Sequence, residues 1–166
     1  MPKSTLIVVR AGLIAGMYVV LSFITMPIAS GAIQFRISEA LTLLPLFFVE
    51  AIPALFVGCM LSNLITGCFL LDIVFGSLIT LVASICTYFM GKIFKDAFTK
   101  ILFGGLFPVL LNALFLPIIW VAVYGALEYV YYLQALFLLI SQSLSVYACG
   151  VPLYLATSRI NGKLNN

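Results

Sequence analysis

The chain has 166 residues, 64% of them hydrophobic, with 8 basic and 5 acidic side chains and no histidine. Mean hydropathy is +1.27, and charged residues make up 8% of the chain against about 25% in a soluble domain. This composition excludes a soluble enzyme, a nucleic-acid binder and a disordered chain. The lack of histidine removes Ser-His-Asp and Cys-His catalysis and histidine-based metal or haem sites.

The charges punctuate the sequence. Uncharged runs cover 11–35, 40–49, 51–71, 73–91, 101–127 and 129–158, and all but the second are long enough to cross a bilayer in about 20 residues. The runs predict helices at about 6–28, 36–50, 52–70, 72–91, 101–123 and 131–157, with the second the shortest. The fold expected is all-α: one domain, 1–166, forming an integral membrane bundle of six transmembrane helices.

The first helix carries Ala11-x-x-x-Ala15 overlapping Gly12-x-x-x-Gly16. Small residues four apart leave a flat face for close helix approach, and here that face suits internal packing or a docking partner. Before the second helix stands Gln34-Phe35-Arg36-Ile37-Ser38-Glu39-Ala40, an amide, a guanidinium, a hydroxyl and a carboxylate between apolar segments. Arg36 and Glu39 are three apart, so they share a face if a helix starts there. The segment reads as an outer loop with a local ion pair or as a binding site at the mouth of the bundle.

Asn63 falls inside the third helix, Asp72 opens the fourth, Asn112 lies mid-way along the fifth and Gln142 lies in the sixth. Amides avoid lipid, so these should face the bundle interior. They serve there either as interhelical hydrogen bonds or as ligand contacts. Six prolines bound or interrupt the helices, Pro45 within the short second one. Trp120, Tyr124, Tyr129, Tyr131 and Tyr132 cluster around the fifth-to-sixth connection as an interfacial belt or a stacking wall. The four cysteines form no CxxC and read as small buried hydrophobes. No GxxxxGK[ST] phosphate loop occurs.

Orientation follows from charge. Six spans with the N-terminus inside put Lys3, Arg10, Lys92, Lys95, Lys100, Arg159 and Lys163 on the cytoplasmic side and only Arg36 outside. Both termini are then cytoplasmic. If 36–50 did not cross, the basic 92–100 loop would face away from Lys3 and Arg10. The same topology gathers Glu39, Asp72 and Glu128 with Arg36 at the outer end and leaves Glu50 at the inner one.

Several of these segments resemble the queuosine-precursor transporter (QueT) family. The segment Gln34 to Thr42 followed by Leu44-Pro45 is similar to its signature, as are Ala51 to Cys59 with Asn63, Asp72 to Leu78, Pro108 to Leu114, and Glu128. Thr66-Gly67-Cys68 departs from the glycine-rich loop the family leads one to expect. The resemblance implies a substrate-binding S-component of an energy-coupling factor (ECF) importer in the cell membrane. Its ligand would be queuine or a 7-deazaguanine precursor (preQ1 or preQ0). Its partners would be a transmembrane coupling protein and two ATPase subunits, with no cofactor, metal or catalytic residue in this chain. Gln34, Arg36, Glu39, Asn63, Asp72, Asn112 and Glu128 are the expected substrate contacts, in an outer site closed by the 29–38 loop. A carboxylate can accept from the N1–H and exocyclic amine of a guanine-like edge together, and an amide or guanidinium can donate to its O6. Ala11 and Ala15 are the expected partner-docking residues. An S-component for another vitamin-like ligand, a channel or accessory subunit, and an intramembrane enzyme are the competing readings.

Overall fold

The computed structural model describes residues 2–29, 34–125 and 130–164. Helix α1 spans Lys3–Ala29, a 3-10 helix spans Ile37–Leu46, α2 spans Ala51–Ile65, α3 spans Leu70–Ile93 and α4 spans Ala97–Tyr124. Helix α5, Tyr131–Ser143, runs through a π-helical turn, Leu144–Cys149, into α6, Gly150–Leu164. The last three pieces form one continuous helix over 131–164, so the six predicted helices are present, with no strand among the described residues. Four helical segments, α1, α3, α4 and the long last helix, are long and apolar enough to cross a membrane.

The second helix is where the sequence reading needs correction. The predicted 36–50 segment winds as a 3-10 helix of 10 residues, although such runs rarely exceed 3–4 residues. Pro45 has no N–H to give to an α-type bond. The segment's end tightens instead, with the Phe47 N–H donating to Leu44 O at 2.9 Å. The longer rise, ~2.0 Å per residue against ~1.5 Å, stretches ten residues to about 20 Å rather than 15 Å.

This 3-10 helix is the pillar of the bundle. Eight successive residues, Ser38 to Pro45, are buried, because α1, α3, α4 and the long last helix all pack against it. Glycines permit the close approach. A Cβ on Gly91 would stand 3.2 Å from the Leu46 backbone, and one on Gly150 would stand 2.8 Å from Leu43 Cδ1. Around the pillar, burial is inverted relative to a soluble protein. Leu70, Val130 and many other large apolar side chains point outward, while serines, threonines, amides and acids are buried. Most buried hydroxyls satisfy themselves on their own helix. Ser77 donates to Ile73 O at 2.7 Å, Ser84 to Thr80 O at 2.7 Å and Ser145 to Ser141 O at 2.9 Å.

Helix α1 lies at the periphery, with 17% of its most apolar window buried. Its buried residues, Ile14, Tyr18, Ser22 and Thr25, form one stripe at helical spacing. Three side chains of α1 reach the pillar or its end: Arg10 to Glu50 at 3.5 Å, Tyr18 to Glu39 at 2.6 Å and Ser22 to Ser38 at 2.8 Å. Arg10 also covers the Phe48 ring at 4.9 Å. The start of α1, the end of the 3-10 helix and the α3–α4 turn meet at one end of the bundle, with Phe47 against Tyr154 of α6. Lys92, Lys95, Lys100 and Arg159 belong to these segments, so the basic end is the cytoplasmic one. Helix α1 begins there and α6 ends there.

Two expectations follow. Ala15 O and Tyr18 Cβ lie 3.1 and 2.9 Å from a Cβ built on Gly58, whereas Gly12 has open space around it. Gly58→Ala should therefore destabilise the bundle by about 1–3 kcal/mol and Gly12→Ala should not, as read by thermal unfolding in detergent. At the start of α4, Asp96 accepts from the Thr99 hydroxyl and from the Thr99 N–H at 2.9 Å. Those donors hold its carboxyl below the usual range, so its stabilising effect is complete above the ordinary pKa and fades as pH falls through the lowered one. The gap in Tm between wild type and Asp96→Ala should close in acid, and Asp96→Asn should retain part of the cap.

Candidate functional site

At the end of the bundle away from the basic loops, a narrow cavity opens where α2 stops, α3 begins and α4 approaches its end. Gln34, Arg36, Glu39, Asn63, Asp72 and Asn112 all line it, joined by Cys59, Gly76, Thr80, Leu116, Trp120 and Gln142. Six of the seven sequence-predicted substrate contacts thus share one cavity. The seventh, Glu128, lies outside the described residues, as do residues 30–33 of the loop expected to close the site.

Glu39, in the first turn of the 3-10 helix, is 3% exposed. A buried carboxylate is costly unless donors meet it, and here each oxygen has one. Tyr18 Oη donates to Oε1 at 2.6 Å, and Asn112 Nδ2 donates to Oε2 at 3.4 Å. Asn112 Nδ2 also lies 3.4 Å from Gln142 Oε1, which ties the middle of α4 to the long last helix. A second carboxylate, Asp72, stands in the first turn of α3, where the helix dipole favours negative charge, and shares the cavity with Trp120.

Asn63 is held within the protein framework. Its Nδ2 faces the Asp72 backbone oxygen at 3.5 Å and Cys59 Sγ at 3.8 Å, and the bare backbone of Gly76 makes room for it. Thr80 donates to the same sulfur at 3.4 Å. The α2–α3 turn that positions Asp72 is tight and uses a single glycine: Gly67 takes φ +75° and Cys68 N donates to Asn63 O at 3.0 Å. One left-handed position suffices for a turn that the family resemblance suggested would be richer in glycine.

The expected Arg36–Glu39 face does not form. Arg36 is the extended residue before the 3-10 helix, with φ −118° and ψ 107°. Among the described residues the one ion pair is Arg10–Glu50. The guanidinium nevertheless lines the same cavity as Glu39 and Asp72. Gln34 Oε1 is buried with no hydrogen-bond partner among the described residues. Such a buried acceptor is unfavourable until something donates to it.

Of the aromatic cluster, Trp120 alone among the residues with described side chains enters the cavity. Tyr131 donates to Leu114 O at 2.9 Å and stacks edge-on with Tyr132, which is exposed. Tyr18 is the site residue the sequence reading missed. Its signal was the polar series Tyr18, Ser22, Thr25 at helical spacing in an otherwise apolar helix. Cys59 and Thr80 carried no comparable signal.

Ala11 and Ala15, the expected docking residues, are half-buried against the α1–α2 core. The adjacent Gly12 and Gly16 are exposed with open space around them, so the open part of the small-residue face is the glycine half.

The cavity leaves about 10 Å³ to the centre of a water molecule, room for about one water. A bicyclic ring enters only if lining side chains move. Its lining pairs acceptors with donors and contains no group of three or more metal-ligating side chains among the described residues.

The sequence model of the QueT transporter family matches residues 8–159. The chain belongs to the QueT transporter family. No curated protein and no solved structure matches the chain. The QueT match takes in all the cavity-lining residues and Glu128. A QueT chain with four long apolar helices is a multi-pass integral membrane protein with a role in transport.

Proposed function

We propose that the chain is the substrate-binding S-component of an ECF-type importer. It captures queuine or a 7-deazaguanine precursor of queuosine at the outer end of the bundle. It then delivers that ligand inward by docking on a transmembrane coupling protein driven by two ATPases. The supporting observation is the convergence of Gln34, Arg36, Glu39, Asp72 and Asn112 on one cavity, from three separate stretches of a QueT-family chain. Two carboxylates and one guanidinium give that lining a net charge of −1 among the described residues. This favours a ligand with a protonated amine, as an aminomethyl precursor or queuine has, over a neutral nitrile. Trp120 supplies a ring for stacking, worth ~1–3 kcal/mol per base. The chain has no phosphate-binding loop of its own, which fits ATP hydrolysis by separate subunits. On this reading the protein binds and releases its ligand unchanged and is not an enzyme.

Mass spectrometry of whatever co-purifies with the protein tests the ligand class directly. A 7-deazaguanine is expected; another vitamin-like molecule would overturn the assignment. In isothermal titration, Glu39→Ala and Asn112→Ala should each weaken binding at least ~10-fold, because each leaves a buried polar group unpaired. Glu50→Ala should bind as wild type does, since Glu50 pairs with Arg10 at the far end.

The outward side of α1 is the proposed docking surface, with Gly12 and Gly16 at its centre and Ala11 and Ala15 at its edge. Gly16→Trp should fold and bind ligand normally yet abolish uptake by cells. Ala15→Trp should damage folding as well, because Ala15 packs on Gly58.

A further inference from the structure

We infer that Glu39, aligned by Tyr18, is the group that selects the ligand's ring edge, and that Asp72 is not. The edge selected carries a ring N–H beside an exocyclic amine. This deepens the reading above and rests on it.

The argument is one of lone pairs. An ionised carboxylate has about four acceptor sites, two on each oxygen. At Glu39 each oxygen already accepts one donor, Tyr18 on Oε1 and Asn112 on Oε2. Those donors come from different helices, α1 and α4, and pin the group from both sides. One acceptor site per oxygen is left, and Glu39 lines the cavity. Two parallel acceptors held in a fixed plane match two parallel N–H donors, the geometry that makes bidentate carboxylate recognition specific. Arg36 lines the same cavity with no carboxylate within ion-pair distance among the described residues. Its N–H groups suit a carbonyl oxygen next to the two donors. The complementary edge therefore reads carbonyl, ring N–H, exocyclic amine.

Asp72 is placed differently. It stands at the start of α3 and shares the cavity with Trp120, and among the described residues it lacks the two-sided hydrogen bonding that Tyr18 and Asn112 give Glu39. An unbraced acid suits a flexible cationic substituent rather than a rigid ring edge. Tyr18 is in this account a positioning residue, since it acts on the ligand only through Glu39.

The test uses the full chain in detergent and two probes, 7-deazaguanine and the same ring without its exocyclic amine, 7-deazahypoxanthine. Wild type should bind the first at least ~10-fold more tightly, because the second leaves one buried acceptor unmet. Glu39→Gln replaces one acceptor by a donor, so the ratio should collapse towards one. Asp72→Asn should keep the ratio even if both probes bind more weakly. Tyr18→Phe should lower the ratio without losing the folded state, which a purely structural tyrosine would not do; this variant carries the test if Glu39→Gln fails to fold. Equal binding of both probes by wild type would overturn the inference and leave the functional reading standing. So would a ratio that survives Glu39→Gln or is lost in Asp72→Asn. Binding of neither probe, with the aminomethyl derivative of 7-deazaguanine bound tightly, would overturn the inference alone, and binding of none of the three would sink both.

Discussion

A carboxylate buried inside a protein costs several kcal/mol unless polar partners surround it, and much of this bundle is arranged around meeting that cost at Glu39. Tyr18 brings α1 to it, Asn112 brings α4, and Gln142 joins behind Asn112 from the long last helix. The carboxylate can sit there only because its helix is the central pillar, enclosed along eight successive residues. The same enclosure requires glycine at Gly91 and Gly150, where a larger side chain would meet the pillar. One acid thus constrains a tyrosine, two amides and the packing of several helices.

Much of the architecture was legible because charge is scarce. In a chain with 13 charged residues, each one marks a helix end or an interior exception. The bounds read from uncharged runs fall close to α1, α3 and α4, and the gathering of Gln34, Arg36, Glu39, Asp72 and Asn112 followed from topology plus the aversion of amides to lipid. Serine and threonine gave less away. A hydroxyl that returns its proton to a carbonyl four residues back needs no partner on another helix, so Ser77 and Ser84 are buried without marking a site.

What the sequence hid depended on winding and on the face a residue presents. Pro45 signals a break but not that the whole of Ile37–Leu46 tightens to a 3-10 helix. Arg36 stands just before that helix in an extended conformation, which takes it off the shared face expected with Glu39. In the small-residue stripe of α1, alanine and glycine at successive positions differ by about 100° around the helix. Nothing local says which of the two meets Gly58. Only the partner helix decides that the alanines turn inward and the glycines outward.

The narrowness of the cavity has an electrical consequence. Ions and protons cross a bilayer along continuous files of water, and a space that admits about one water molecule holds no file. Behind it lie the packed side chains of the pillar, Leu41, Leu43 and Leu44, all buried. A transport protein built this way sits in the membrane without short-circuiting the gradient through this space. Its buried polar groups gather in one narrow cavity while the apolar packing behind them stays closed.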